Sequence, residues 1–336
     1  MRPLAPLDEL PDWPYDRVPM DRYIHSHYLG RRVGTHHSSF GCPFACNFCA
    51  VVSMSNRRWV AQSPARVAAV LLRQKRQYGI DAVQFHDMDF FISEPRAAEI
   101  ADRIASLGLT WWALGRVDEL MRYRDATWQA LKRSGLKMVF CGAESGSDEL
   151  LARMNKGGRA ATSLTIELAR RMREYGIVPE FSFVVGNPPE PITDVERTMA
   201  FIRHVKQVNP ATEVILYSYS PVPLDGTLYD EARASGFRFP ETLDGWLSND
   251  WRQFALRRDP HTPWLRAGWR ARVRNFESVL NAYYPTVTDI RLTPLRRAAL
   301  RLLAGWRYRL EWYALPLELR TVNRLFGYQR PETTGF

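Results

Sequence analysis

Six short β-rich runs alternate with amphipathic helical stretches between residues 33 and 220, and this constrains the fold of the 336-residue chain more than any other feature. VGTHHSSF (33–40), DAVQFH (81–86), LTWWALGR (109–116), LKMVFCG (136–142), VPEFSFVVG (178–186) and EVILYSYS (213–220) read as strands. Between them, Ser63 followed by Pro64 starts a helix that repeats Val67, Val70 and Leu71 along one face. Ala97, Ile100, Ile104 and Leu107 mark a second helix, and Gly135 and Gly176 stop helices over 126–134 and 162–175. Ser147 and Thr193, each followed by early acids, open two more. Strand–helix units at this spacing call for a parallel sheet with right-handed crossovers. Eight units would close a full barrel. Six predict an α/β fold, a partial (β/α)6 TIM-like barrel or a doubly wound sheet, with its site at the C-terminal strand ends in either case.

After about residue 238 the pattern changes to helical spacing, with Trp246, Trp251, Trp264, Trp269, Trp306 and Trp312 set among arginines. The expected division is a linker-like segment over 1–30, a core domain over 31–237 and a helical, Arg/Trp-rich extension over 238–336. Hydrophobic residues at 46% and charged residues at 24% exclude a disordered chain or a disulfide scaffold. No apolar run approaches a membrane span, and MRPLAPLDELPDWPYDR contains no signal-peptide core, so a cytoplasmic location is expected. The net charge of +10 is concentrated: between His261 and Leu310 ten arginines face only Glu277 and Asp289. Such a field suits nucleic acid, anionic lipid, a phosphorylated substrate or an acidic protein.

Of four cysteines, three stand together as Cys42-x3-Cys46-x2-Cys49, directly after a strand. A structural zinc site and a simple ferredoxin-type cluster each want four protein ligands. Three thiolates on a cubane leave one iron open, which suits a cluster that binds a small molecule. A zinc site completed by His36, His37 or His86 is the alternative on spacing alone.

GCPFACNFCAV, with aromatic Phe48 before the last cysteine, resembles the signature of the radical S-adenosylmethionine (radical SAM) enzymes. VQFHDMDFF (83–91) resembles that family's acidic motif, FCGAESGSDELLARMNKG (140–157) a segment of its cobalamin-associated branch, FSFVVGNPPE (181–190) the motif beside the adenine, and YSPVPLDGT (219–227) the end of strand six. The motifs run in family order over about residues 30–230. The resemblance implies that Cys42, Cys46 and Cys49 hold a 4Fe–4S cluster whose open iron chelates S-adenosylmethionine. Reductive cleavage would then yield a 5′-deoxyadenosyl radical that attacks an unactivated carbon of a small or lipid-like metabolite. It further implies that Asp87, Met88 and Asp89 meet the methionine ammonium, that Arg116 pairs with the carboxylate, that Glu144 and Ser145 bind the ribose or the amino-acid end, and that Gly186 admits the adenine. A reductant such as flavodoxin or ferredoxin would be a partner. Methylation, cyclisation and rearrangement are all open outcomes. LAPLDELPDWPYDRVPMDRY (4–23) resembles the linker that follows a cobalamin-binding domain. The alternative enzyme reading is therefore a cobalamin-dependent methyltransferase whose cobalamin module is supplied by a separate protein, with loss of that module or a truncated start as the other ways to account for the linker.

Each residue has a plainer use. Asp87 or Asp89 could cap the next helix, Arg116 could pair with Asp118 or Glu119, and Cys141 could be a packed small hydrophobe. A non-catalytic metal-binding protein on the same fold is the reading from another class. The leucines and arginines of 293–319 fit a helix packed on the barrel with its arginines solvated, or an interfacial helix on anionic lipid, which would be a peripheral membrane contact. Nucleic acid is the weaker reading, since no RNA-binding module accompanies the aromatics.

Overall fold

In the computed structural model the strands are β1 (His25–His27), β2 (Gly30–His36), β3 (Ser39–Gly41), β4 (Trp59–Ala61), β5 (Ala82–Phe85), β6 (Thr110–Arg116), β7 (Leu136–Glu144), β8 (Val178–Val185) and β9 (Glu213–Ser218). The helices through the sheet region are α1 (Val51–Ser55), α2 (Pro64–Tyr78), α3 (Glu94–Ile104), α4 (Val117–Leu120), α5 (Asp125–Arg133), α6 (Asp148–Arg153), α7 (Thr162–Tyr175), α8 (Pro191–Val208) and α9 (Thr227–Ala234). Beyond them lie α10 (Leu243–Leu247), α11 (Asn249–Ala255), α12 (Trp269–Tyr283), α13 (Pro294–Arg309) and α14 (Leu317–Phe326). The structure describes residues 5–156, 160–189, 191–223, 227–255, 261–265 and 268–326. Parts of the sequence motifs, including Gly157, Glu190 and the run 224–226, lie outside the described residues.

One sheet in the order β1-β2-β5-β6-β7-β8-β9 organises the chain. Its last six strands are parallel, as the alternation requires, and curl into the half-barrel of a partial (β/α)6 fold. The sequence reading missed β1, which pairs antiparallel with β2 and covers the sheet's first edge. The run 33–40 also proves to be two strands. It ends its parallel pairing at His36, and Ser39–Gly41 leaves to pair antiparallel with β4.

Local chemistry sets the helix starts at Ser63 and Ser147 as the sequence predicts and adds one at Ser93, whereas α8 already begins at Pro191, which leaves Thr193 inside that helix rather than opening it. The Ser63 and Ser93 hydroxyls accept the Arg66 and Arg96 backbone N–H groups at the starts of α2 and α3, and Ser147 does the same for Leu150 at α6. Gly79 and Gly176 end α2 and α7 in the left-handed conformation.

Alternate strand residues separate two environments. Val83, Phe85, Trp111, Ala113, Val139, Cys141, Phe181 and Phe183 point outward into the main core, which runs on to Phe276 and Leu280 of α12 and Leu300 of α13. The other face lines the lumen. There Val33, Trp112, Met138 and Val178 form a small apolar floor with Leu29, and Val287, from the connection between α12 and α13, packs against it. Glu213 fixes that connection by accepting hydrogen bonds from the Thr286 hydroxyl and the Val287 backbone N–H. Cys141 is fully buried on the outward face, a packed small hydrophobe, and burial holds its thiol well above the usual range. No helix among the described residues is long and apolar enough to cross a membrane.

Candidate functional site

The loop of 42–49 leaves β3 and crosses the C-terminal strand ends. It is pinned from the far side by the end of α6: Asn47 donates through its backbone to the Met154 carbonyl at 3.2 Å and through its amide to the Arg153 carbonyl at 2.6 Å. Asn155 donates back to the Ala45 carbonyl at 3.0 Å. Phe48 packs at the edge of a cluster containing Leu150, Met154 and Tyr219. Two motifs about a hundred residues apart therefore build one loop.

Within it Cys46 is buried, and Cys42 and Cys49 are half-buried. Burial pushes the Cys42 thiol up to about 11 and raises that of Cys49. Both feel the electrostatic influence of Cys46, and the Arg116 guanidinium donates to the Cys46 sulfur at 3.4 Å. Among the described residues no three His, Cys, Asp or Glu groups stand in closed metal-holding geometry. The donor chemistry carries the fit: three thiols on one short loop supply three ligands, and a cation lies beside them to favour the thiolate. A zinc site completed by His36 fits poorly, because that ring uses Nε2 on Gln62 at 2.8 Å and Nδ1 on the Tyr15 hydroxyl at 3.4 Å. His37 and His86 lie against each other and against Phe40 and Trp112.

The acidic motif divides its labour. Asp87 is fully buried and accepts from the Ser38 backbone at 2.7 Å and from the Ser38 and Ser39 hydroxyls at 2.6 Å each, so it anchors the start of β3. Met88 is exposed. Asp89 accepts from the Phe91 backbone at 3.1 Å through Oδ1, while its buried Oδ2 has no hydrogen-bond partner. Burial pushes the Asp89 carboxyl up to about 7, against the pull of nearby Arg116. A buried acceptor left empty is costly unless a ligand fills it, and an ammonium would do so well. Neither aspartate caps α3, whose cap is Ser93.

Arg116, ending β6, gives its fork to Asp118 at 3.0 and 2.9 Å and lies over the Phe44 ring at 3.8 Å. Its remaining capacity goes to the Lys156 carbonyl and the Cys46 sulfur. Glu144 ends β7 with φ +65°, at the point where the β7–β8 register slips, and forms a buried ion pair with Lys156. A left-handed glutamate held by a buried lysine is backbone strain of the kind that gathers at working sites. The Ser145 hydroxyl accepts from the Ser147 backbone at 3.0 Å. Gly186 has φ +82°, and a Cβ there would sit 2.9 Å from Trp269 and 3.0 Å from Leu265. Trp264 donates to the Gly186 carbonyl at 2.9 Å. The close approach expected at Gly186 is thus made here by the C-terminal extension.

Sequence reasoning gave no role to Lys156, Phe44 or Glu180. Lys156 lies inside the quoted MNKG segment, but its pairing depends on α6 folding back over β7. Glu180 faces the lumen from β8 and accepts from the Trp112 indole N–H at 2.9 Å, and burial raises its carboxyl to about 7.

Residues 37–202 match the family model of the radical SAM superfamily. Over 205 residues the chain is 33% identical to an uncharacterised methyltransferase of Pyrococcus horikoshii, covering 60% of this chain and 43% of that protein. Over 189 residues it is 25% identical to the cytidylyl-2-hydroxyethylphosphonate methyltransferase of Streptomyces wedmorensis, covering 54% and 35%. The chain thus spans less than half the length of these relatives. The fold is similar to that of the radical SAM methyltransferase TsrM of Kitasatospora setae, solved with cobalamin and a 4Fe–4S cluster bound, with a TM-score of 0.52 and 18% identity over 62% of this chain and 41% of that one. With the cysteine loop, the acidic strand end and the half-barrel in place, the chain belongs to the radical SAM superfamily, an enzyme family whose fold implies a 4Fe–4S cluster and S-adenosylmethionine.

Proposed function

We propose that this chain is the radical domain of a methyltransferase that acts on an unactivated carbon of a small molecule held in the lumen. The observation that carries the S-adenosylmethionine site is the buried, unpartnered Oδ2 of Asp89, beside the cysteine loop. Cys42, Cys46 and Cys49 would hold the cluster and Asp89 would accept the ammonium. When bound, the cluster and S-adenosylmethionine supply one-electron chemistry at carbon. The chain's own residues do the rest. Arg116 keeps a positive charge beside the Cys46 sulfur, to which its guanidinium donates, while Asp118 and Phe44 hold the guanidinium in place. The Lys156–Glu144 pair sets the end of β7, and Phe44, Phe48 and Trp269 screen the mouth from water.

Methyl transfer is favoured over cyclisation or rearrangement by the names of the relatives, and cobalamin would serve as carrier on a module outside these 336 residues. The substrate wall supports a molecule with both apolar and hydrogen-bonding parts, since Leu114 and Phe140 stand in register beside Glu180. A cytoplasmic flavodoxin or ferredoxin would supply the electron.

Anaerobic reconstitution with iron and sulfide, followed by dithionite and S-adenosylmethionine, tests this directly. 5′-Deoxyadenosine is expected, abolished in Cys46→Ala and strongly reduced in Asp89→Asn. S-Adenosylhomocysteine that forms only when cobalamin is added would establish the methyl-transfer assignment. Zinc in place of iron with neither nucleoside product would sink the enzyme reading.

A further inference from the structure

Helix α13 has two apolar faces. One packs inward through Leu300, Ala304 and Tyr308. On the opposite side Leu295, Ala299, Leu302, Trp306 and Leu310 follow one another in steps of four, three, four and four, a single line along a helix. That line faces solvent: Leu295 is 81% exposed, Leu302 82%, Trp306 49% and Leu310 71%. Trp312, Leu315 and Leu317 extend it through the turn into α14, all three exposed. The turn is held firmly. The buried Arg307 guanidinium donates to the Ala314 carbonyl at 2.7 Å and the Leu315 carbonyl at 3.3 Å and pairs with Glu318. An apolar ridge about 22 Å long, at 1.5 Å rise per residue, is therefore displayed on a rigid base rather than on a loose tail.

Charge identifies what covers it. The acids of this segment, Glu311 and Glu318, are both occupied by arginines of the chain, Arg203 at 3.3 Å and Arg307. Exposed Arg309 flanks the ridge and has no partner among the described residues, and exposed Arg301 lies against the Tyr283 ring without an acid beside it. Leucine and tryptophan along a line, arginine beside it and both acids already paired to arginines of the chain form the complement of an anionic lipid surface, with the side chains at interfacial depth. The geometry points to α13 and the α13–α14 turn as a peripheral docking face for anionic membrane lipid. This inference is independent of the reaction assigned above.

The test is sedimentation of the full chain with vesicles of phosphatidylcholine alone or carrying about 30 mol% phosphatidylglycerol, paired with light scattering of the free protein. Pelleting with the anionic vesicles, weak pelleting with the neutral ones, and about a tenfold loss of pelleting in Leu302→Glu/Trp306→Glu are expected. Arg301→Gln/Arg309→Gln should weaken binding several-fold and flatten its salt dependence. Both double variants change exposed positions, so their circular dichroism and Tm should match the parent, and the conservative Leu302→Met/Trp306→Phe should keep binding. Equal pelleting with both vesicle types, or with neither, overturns the proposal. So does a dimer that the Glu variant dissolves while vesicles are ignored, an outcome that assigns the ridge to a second copy of the chain.

Discussion

On the outer side of the parallel strands, Val83, Phe85, Trp111, Val139, Cys141 and Phe181 sink into a continuous apolar core. The same strands turn Gln84, His86, Trp112, Phe140 and Glu180 inward, where aromatic rings and a raised carboxyl share the lumen. The two faces alternate residue by residue, so one backbone serves two purposes. The outer face stabilises the domain through burial. The inner face and the strand ends keep polar groups that an apolar substitute would outperform on stability, which is the expected mark of a face that binds something.

Substitutions can break or sharpen this contrast. The largest effect should come from Trp111→Ala on the outer face. Trp111 is fully buried, and its loss should cost about 3–5 kcal/mol in urea denaturation. Next comes Lys156→Met at the end of β7, which leaves Glu144 buried and unpaired at a cost of about 3 kcal/mol. Adding Glu144→Gln should recover most of that stability without restoring 5′-deoxyadenosine formation. Equal recovery of both would make the pair purely structural.

Glu180→Gln should show its effect through pH. Folding raises the Glu180 carboxyl from about 4 in the unfolded chain to about 7, chiefly by burial. Its contribution is therefore intact below about pH 4 and is lost as pH rises through 7. The variant should gain stability over the parent above pH 7, on the order of 1–3 kcal/mol, and show no such gain at pH 4. A pH-independent difference would remove Glu180 from the lumen's titrating groups. The smallest effect belongs to Cys141→Ala, at about 1 kcal/mol, with nucleoside product formation unchanged. A large loss of activity there would mean that the outer face also does chemistry.

The division between the faces was legible in the sequence to the extent that it is local. Alternation in LTWWALGR and VPEFSFVVG, punctuated by Ser63, Gly135 and Gly176, announces parallel strands with helical crossovers, because period and capping are properties of short segments. The cysteine loop was legible for the same reason. What escaped depends on distant chain. The break after His36 follows from the pairing of Ser39–Gly41 with Trp59–Ala61, and no residue in 33–40 signals it. The Arg116–Asp118 fork was visible as an option because its members are neighbours. The Glu144–Lys156 pair and the left-handed backbone of Glu144 were not, since both arise where a strand end meets a returning helix. Gly186 was expected to clear space for a ligand, and Trp269, more than eighty residues away, is what approaches it here.

Val287 seated on the lumen floor stoppers the half-barrel at the N-terminal ends of its parallel strands. A molecule resting on that stopper therefore looks up at the cysteine loop from the opposite end of the strands.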